Sequence, residues 1–249
     1  MKFYSILSSL ISQLIFKSSN NITLLQSFFS NDKHSLNIDI EKSYWKKGIK
    51  YIIGCDEVGR GCIAGPVVAA AVCIHSNNDN IYTPIKGIAD SKTLTEASRN
   101  ELIKQIKLEQ QEQQSISYTI STINHTIIDE INILQSTMLA MHECITDLHT
   151  TILANEQLRY DIHTPSLTPL PTFSSMEYVH TTSSGRSSST GTSTNTHTHT
   201  NNFYAIVDGN KCPNLLPVPA KPLVQGDTLC YSIAVASIIA KVYRDNLMV

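Results

Sequence analysis

The sequence predicts an α/β domain in which helices cover a mostly buried β-sheet. Two observations point to this fold class: strand-like and helix-like segments alternate along the chain, and residues 229–247 are apolar on almost every side. Alternating strands and helices are typical of a sheet covered by helices. A helix that is apolar all round is buried, so we expect residues 229–247 at the centre of the domain.

Four segments have the composition of strands. Residues 50–54 form a short apolar run just before two carboxylates, and residues 66–74 have the β-branched and alanine-rich composition of a buried strand. Residues 116–123 alternate between two faces and have strong β propensity. Residues 203–208, FYAIVD, form the last predicted strand.

Two further segments predict helices. Residues 92–114 are typical of a polar surface helix, with Ser91 or Thr95 as its N-cap. The next helix is indicated by apolar residues at alternating spacings of four and three, which form a continuous stripe of about seven turns. This stripe consists of Ile127, Ile131, Leu134, Met138, Met141, Ile145, Leu148 and Ile152. Such a stripe either docks on a sheet or forms a coiled-coil seam, and the neighbouring strands favour docking.

Composition excludes several classes of protein. The 249 residues carry 19 basic and 21 acidic side chains, and this net charge of −2 excludes a uniformly basic nucleic-acid-coating protein but not a local cationic groove. No apolar run reaches the length of about 18 residues that a membrane-spanning helix needs. The six cysteines include no CxxC pair, so we expect reduced, mostly buried thiols in a cytoplasmic protein and no disulfide framework or zinc knuckle.

The chain divides into four parts. They are an N-terminal extension (1–44), a first domain part (45–160), a Ser/Thr-rich insertion (161–202) and a second domain part (203–249). The extension is interpreted as disordered or, alternatively, as a targeting peptide, although it lacks arginine. The insertion has no apolar face with which to offset its ordering entropy, so we expect it to be disordered. Its histidines at positions 197 and 199 could bind a metal, but an accidental low-complexity repeat is favoured.

Two adjacent carboxylates, Asp56 and Glu57, end the first strand-like segment. An exposed turn would explain them, but at a buried strand end they are costly unless a cation neutralises them. Arg60 lies between two glycines, on a tight loop where its planar guanidinium could meet a phosphate. Glycines, which permit positive φ and close backbone approach, surround the pair at Gly54, Gly59, Gly61 and Gly65.

Two more aspartates lie at element ends. Asp208 terminates the last predicted strand, and Asp227 precedes the apolar helix. Taken singly, Asp208 is explained by an Asx turn and Asp227 by an ordinary N-cap. Carboxylates that converge on one edge of a sheet would instead form an oxygen-rich site for Mg²⁺ or Mn²⁺. Two such ions about 4 Å apart can promote cleavage of a phosphodiester.

Five blocks of the sequence resemble bacterial-type ribonuclease HII and occur in that family's order. The blocks are GCDEVGRGCIAGPVVAAAV (54–72), IADSKTLTEASRNEL (88–102), IDEINILQSTMLAM (128–141), VDGNKCPNLLPVPA (207–220) and QGDTLCYSIAVASIIAKVYRDNLM (225–248). The resemblance implies a ribonuclease H-like fold, a mixed sheet flanked by helices. It also implies endonucleolytic hydrolysis of RNA in RNA–DNA hybrids and nicking 5′ to a ribonucleotide embedded in duplex DNA, which leaves a 3′-hydroxyl and a 5′-phosphate.

The resemblance also implies site residues and partners. The family's four metal-binding carboxylates fall on Asp56, Glu57, Asp208 and Asp227, which would hold two divalent ions, Mn²⁺ or Mg²⁺. Its Gly-Arg-Gly loop falls on Gly59, Arg60 and Gly61, which would read the ribose 2′-hydroxyl and a neighbouring phosphate. Lys92 is either a further phosphate contact or a solvated surface lysine. The expected partners are RNA–DNA hybrids and ribonucleotide-containing duplexes, bound by a monomer without a membrane.

Three features depart from the family pattern. Gln225 occupies a position that is usually lysine, and the Ser/Thr insertion enters before the strand that carries Asp208. The family continues past the final helix with a segment that holds a tyrosine stacking at the cleavage junction, and we expect this chain to lack it. Gln225 and the missing segment leave an alternative, a catalytically inactive remnant of the fold with weak nucleic-acid binding.

Overall fold

The computed structural model describes residues 36–75, 82–112, 115–163 and 202–249. The strands are β1 Tyr51–Val58, β2 Val67–His75, β3 Ile116–Ile123, β4 Phe203–Asp208 and β5 Ala220–Leu223. The helices are α1 Asp39–Trp45, α2 Glu96–Glu112, α3 His125–Ile131, α4 Ile133–His163, α5 Gly226–Leu229 and α6 Tyr231–Leu247. All four predicted strands are therefore found, whereas β5, α1 and α5 had no sequence prediction.

Strand β1 lies in the middle of a five-stranded sheet of order β3-β2-β1-β4-β5. It pairs antiparallel with β2 and parallel with β4. At the two edges, β3 is antiparallel to β2 and β5 is parallel to β4. The first six residues of β1 are all buried, as expected for a strand covered on both faces. The predicted α/β fold, a mixed sheet flanked by helices, is confirmed.

Helices α4 and α6 cover opposite faces of this sheet. Successive residues of a strand point to opposite faces, so each strand contributes to two cores. On one face Cys55 of β1 packs in a core with Met141 of α4. On the other face Val72 of β2 packs in a core with Val235 of α6. The central position predicted for the apolar helix is confirmed, since most of α6 is buried.

The contact between β1 and α6 depends on a glycine. A Cβ added at Gly54 would lie 2.4 Å from the backbone carbon of Ser232, far inside van der Waals contact. Only glycine therefore lets α6 pack this closely on β1. The close packing matters for the site because Asp56 follows two residues later in the same strand.

The long amphipathic helix is not continuous, and this prediction was wrong at one residue. Asn132 adopts φ 67°, which ends α3, and its side-chain oxygen accepts hydrogen bonds from the backbone of Leu134 and Gln135 at 3.0 and 3.1 Å. Asn132 thus starts α4 as an N-terminal cap, a role for which asparagine is favoured. The later members of the apolar stripe are buried against the sheet, so docking on the sheet is the correct interpretation. They are Met141, Ile145, Leu148 and Ile152.

The predicted domain boundary at residue 45 also needs correction. Residues 36–44 are part of the domain, because Ile38 and Tyr44 are buried in its core. Glu41 of α1 is fully buried, and its carboxylate accepts hydrogen bonds from the backbone N–H and the hydroxyl of Ser232 at 2.8 and 2.9 Å. A short polar helix gave no apolar periodicity from which to predict this docking. Residues 1–35 lie outside the described part of the chain.

The predicted surface helix begins later than expected. It starts at Glu96, and Thr95 is its cap, since the Thr95 hydroxyl accepts a hydrogen bond from the backbone of Ser98 at 3.2 Å. Ser91, the other candidate cap, lies outside the helix. At the far side of the domain, α4 continues to His163, past the predicted boundary at residue 160. Most of the Ser/Thr insertion, with His197 and His199, lies outside the described residues.

The cysteines are mostly buried, as predicted. Cys55, Cys73, Cys144 and Cys230 are buried, whereas Cys62 in the glycine-rich loop is exposed. Within the described residues, none of the helices combines the length and the apolar composition needed to cross a membrane.

Candidate active site

Two parallel strands bring three carboxylates together at one edge of the sheet. Strands β1 and β4 are paired so that Cys55 lies opposite Val207, and the next residues in each strand are Asp56 and Asp208. Parallel neighbours end at the same edge, so these two side chains meet there. Oxygens of Asp56, Glu57 and Asp208 all lie within 4.8 Å of one another. The predicted convergence of strand-end carboxylates is thus observed for these three residues.

The electrostatics of the three carboxylates are unfavourable without a cation. Burial raises the pKa of Asp56 well above its usual value, and the neighbouring Glu57 raises it further. Burial also raises the pKa of Glu57, with Asp208 adding to the shift and Arg60 opposing it. Burial raises the pKa of Asp208, although a backbone hydrogen bond from Gly226 opposes that shift. Like charges held this close favour either a proton or a bound cation.

Asp227 lies beside this cluster but is not one of its three members. It sits in α5 and is buried, and its Oδ2 faces Nζ of Lys92 at 3.3 Å. Its backbone neighbour Gly226 donates a hydrogen bond to Oδ1 of Asp208 at 2.6 Å, which ties α5 to the end of β4. A negative charge on Asp227 also raises the pKa of Asp208. The fourth predicted carboxylate therefore adjoins the cluster and is paired with the predicted lysine.

The glycine-rich loop stands next to the cluster. Arg60 is half exposed, and its guanidinium lies 4.0 Å from Oε1 of Glu57. Gly59 has φ +105°, a conformation that side chains rarely adopt, whereas a Cβ at Gly61 would meet no atom within 4 Å. Gly61 thus leaves open space at the backbone, as a residue that lets a ligand approach closely must. The exposed Arg60 and the open Gly61 fit the phosphate and ribose contacts expected of this loop.

Arg244 supports this loop, and the sequence interpretation missed it. Its buried guanidinium donates hydrogen bonds to the carbonyls of Pro66 and Ala64 at 2.9 and 2.8 Å. A Cβ at Gly59 would lie 2.7 Å from its Nε. The only signal in the sequence was an arginine at the end of an apolar helix, which is ordinarily read as a favourable charge near a helix C-terminus. Pairing with a loop about 180 positions earlier in the chain is decided by the fold.

The carboxylate cluster fits a divalent metal of the hard type. Its donors are carboxylate oxygens from Asp56, Glu57 and Asp208, the ligands preferred by Mg²⁺ and Mn²⁺. The sulfur nearest in sequence, Cys55, points into the core on the face of α4, so it does not join the site. The raised pKa of Asp56 supports the same interpretation, because a bound cation would offset both the burial and the repulsion from Glu57 that raise it.

A carboxylate cluster of this kind, at the edge of a mixed sheet and beside a loop with an exposed arginine, is typical of enzymes that hydrolyse phosphodiesters with metal ions. The family model described as Ribonuclease HII matches residues 53–169. The chain is 36% identical to a ribonuclease HII of Chloroherpeton thalassium over 217 residues, which cover 86% of this chain and 77% of that one. The chain belongs to the ribonuclease HII family and is an endonuclease of the ribonuclease H type.

A second relative agrees with this assignment, and one solved structure was also matched. A ribonuclease HII of Polynucleobacter necessarius is 34% identical over 200 residues, which cover 80% of this chain and 73% of that one. The crystal structure of the ribonuclease H2 from Pyrococcus horikoshii is similar with a TM-score of 0.46 and 19% identity, covering 80% of this chain and 74% of that one.

Proposed function

We propose that this chain hydrolyses the RNA strand of RNA–DNA hybrids and nicks duplex DNA 5′ to an embedded ribonucleotide, leaving a 3′-hydroxyl and a 5′-phosphate. The observation that carries the proposal is the gathering of Asp56, Glu57 and Asp208, with oxygens within 4.8 Å of one another, beside the Gly59–Gly61 loop. In the cell, such an activity would remove ribonucleotides from DNA during replication and repair, and we propose that it acts as a cytoplasmic monomer.

The carboxylates would hold two divalent cations, Mg²⁺ or Mn²⁺, with Asp227 as the fourth ligand. Such cations, when bound, activate a water and neutralise charge at the scissile phosphate. The protein contributes carboxylate ligands whose orientation is fixed by hydrogen bonds. Asp208 is oriented by the backbone N–H of Gly226, and Asp56 accepts a hydrogen bond from the N–H of Glu57 at 2.8 Å. These fixed hydrogen bonds orient the carboxylates before any ligand arrives.

The substrate contacts divide between backbone and side chains. The open backbone at Gly61 lets the ribose approach, and the 2′-hydroxyl is the group that distinguishes RNA from DNA. Arg60 offers a planar fork to a phosphate. Lys92, whose side chain is 80% exposed, would leave Asp227 for a phosphate when cations occupy the carboxylates. The negative charge is then neutralised at Asp227, where the cations replace the ammonium, and at the phosphate, which the ammonium now contacts.

The experiment is a nicking assay on a labelled DNA duplex that contains one ribonucleotide. We expect cleavage with Mg²⁺ or Mn²⁺, none with EDTA, and a 3′ end that a DNA polymerase extends. Asp208→Asn should abolish cleavage, whereas Asp147→Asn, an exposed aspartate on α4, should not. Equal cleavage of an all-DNA duplex would contradict the proposed substrate.

The same assay decides the alternative of an inactive remnant. Gln225 in place of the family's lysine motivates that alternative, because it removes a cation beside Asp227. A folded protein that binds the duplex weakly in Ca²⁺ and never nicks it in Mg²⁺ or Mn²⁺ would support the remnant. Restoring the charge with Gln225→Lys tests the cause, since a gain in cleavage would assign the defect to this position.

A further inference from the structure

Two serines link the carboxylate cluster to the segment that carries Lys92. Ser91 precedes Lys92, and Ser237 lies on the inner face of α6. Their hydroxyl oxygens are 2.8 Å apart. The Ser237 hydroxyl also acts on the carboxylate of Asp56, where it lowers the pKa that burial raises. All three side chains are buried, with exposures of 4, 6 and 5% for Ser91, Ser237 and Asp56.

The chemistry of the three groups fixes the direction of these bonds. Asp56 must be ionised to bind a cation, and an ionised carboxylate only accepts hydrogen bonds, so Ser237 directs its single proton toward Asp56. The oxygen of Ser237 then has only acceptor capacity left for Ser91, which must donate. The three side chains therefore form a relay, in which Ser91 donates to Ser237 and Ser237 is directed at Asp56.

The start of the relay is held in place from the other side. The backbone carbonyl of Ser91 accepts a hydrogen bond from the guanidinium of Arg99 at 3.0 Å. The next residue, Lys92, reaches Oδ2 of Asp227 at 3.3 Å. The relay and this ion pair thus connect Asp56 with Asp227 through one short segment, residues 91–92.

We propose that Ser91 and Ser237 are positioning residues that orient Asp56 for cation binding and couple it to the lysine that contacts the phosphate. The inference rests on the proposed function, since it takes Asp56 as a cation ligand and Lys92 as a phosphate contact. Neither serine touches the reacting atoms. Ser237 acts through Asp56, and Ser91 acts through Ser237 and through the placement of Lys92.

The direction of the relay makes the two serines unequal. Ser237→Ala removes the donor to Asp56 and also leaves the Ser91 hydroxyl without its acceptor. Ser91→Ala leaves the Ser237 hydroxyl in place beside Asp56. We therefore expect Ser237→Ala to weaken cation binding and lower kcat, whereas Ser91→Ala chiefly raises KM through Lys92.

The test measures Mn²⁺ binding directly, by titration calorimetry or electron paramagnetic resonance on the full chain, together with kcat and KM for nicking. Ser237→Ala should raise the Mn²⁺ dissociation constant roughly tenfold, the size of effect that such supporting bonds usually have. Adding Ser91→Ala to that variant should change the constant less than about twofold, because Ser91 has already lost its acceptor. Ser237→Thr, which keeps the hydroxyl, should restore most of the affinity.

The matched control is Ser136→Ala, a buried serine of α4 whose hydroxyl donates to the carbonyl of Asn132 at 2.9 Å. It should leave Mn²⁺ binding unchanged, and melting temperatures of all variants show whether each is folded. The inference is overturned if folded Ser237→Ala binds Mn²⁺ as tightly as the parent chain, or if alanine and threonine at position 237 weaken binding equally. A parent chain that binds Mn²⁺ but never nicks would instead overturn the proposed function, and the Mn²⁺ titrations would still decide the role of the serines.

Discussion

The backbone of Gly59 lies directly against the guanidinium of Arg244, in space that no other residue could share. A Cβ at this position would lie 2.6 Å from the carbonyl oxygen of Pro66 and 2.7 Å from Nε of Arg244. Gly59 also has φ +105°, which L-residues rarely adopt. The buried arginine and the glycine therefore determine the shape of the glycine-rich loop together.

Substitution of Gly59 should destabilise this loop. We expect Gly59→Ala to lower the free energy of unfolding by about 1–3 kcal/mol. An alanine would be strained at this positive φ, and the backbone carbonyl of Pro66 cannot move aside for its Cβ. Chemical denaturation measures the change. Gly61→Ala is the matched comparison for stability, since a Cβ there meets nothing within 4 Å. Equal losses of stability for both variants would contradict the close contact with Arg244.

Replacing Asp56 by Asn should stabilise the metal-free protein and remove its response to metal. Burial raises the pKa of Asp56, so the folded state holds a proton more tightly than the unfolded state. Stability from this group is therefore present at low pH and is lost as pH rises through the raised pKa. Asp56→Asn should melt higher than the parent at neutral pH in EDTA and show a shallower fall in stability with rising pH.

Thermal melts in EDTA and in Mn²⁺ check this prediction. Mn²⁺ should raise the melting temperature of the parent chain and leave that of Asp56→Asn almost unchanged, because ligands that bind only the folded state stabilise it. Asp147→Asn serves as the control, since Asp147 is exposed on α4. A parent chain whose melting temperature does not respond to Mn²⁺ would argue against cation binding at the cluster.

Removing the Lys92 side chain should weaken substrate binding but not the fold. The Lys92 side chain is 80% exposed, so its pair with Asp227 is expected to contribute less than about 1 kcal/mol to stability. Lys92→Ala should raise KM several-fold. It should also reduce the slope of the salt dependence of binding by about 1, the effect expected for the loss of one phosphate contact. Binding of the duplex in Ca²⁺ at several salt concentrations measures this. Lys104→Ala, an exposed lysine paired with Glu101, should change neither quantity.

A buried histidine far from the carboxylates should make the fold sensitive to acid. His149 packs edge-on against Phe203 with ring centroids 4.7 Å apart, and in the described part of the chain its Nε2 has no hydrogen-bond partner. Burial lowers the pKa of His149, so the folded state resists protonation. The stability from this group is present above the unfolded pKa of about 6.5 and is lost as pH falls below it.

His149→Gln should therefore flatten the loss of stability between about pH 7 and pH 5, which melting curves at several pH values measure. His125→Gln is the control, because His125 is exposed at the start of α3. If both variants keep the same pH dependence as the parent chain, His149 is not the group responsible.

Four of the five strands, the central helix and the carboxylates at strand ends could be predicted from the sequence. These follow from local chemistry, since apolar runs form buried strands and an acidic pair at a strand end needs a cation nearby. Asp56, Glu57 and Asp208 could be found because the pattern of β1 and β4 placed them at element ends. Local chemistry also placed a helix over the apolar stripe from Ile127 to Ile152, but it could not show that Asn132 would adopt positive φ and divide it.

Which distant groups meet depends on how the whole chain folds. Arg244 reaches the loop at Ala64, Ser91 reaches Ser237, and Glu41 reaches the start of α6, and each pair is separated by more than 100 positions. No local pattern distinguishes these residues from an ordinary surface arginine, a turn serine or a helical glutamate. Their roles depend on burial, which strengthens a polar contact by removing water and arises only when the sheet and its two helix layers pack together.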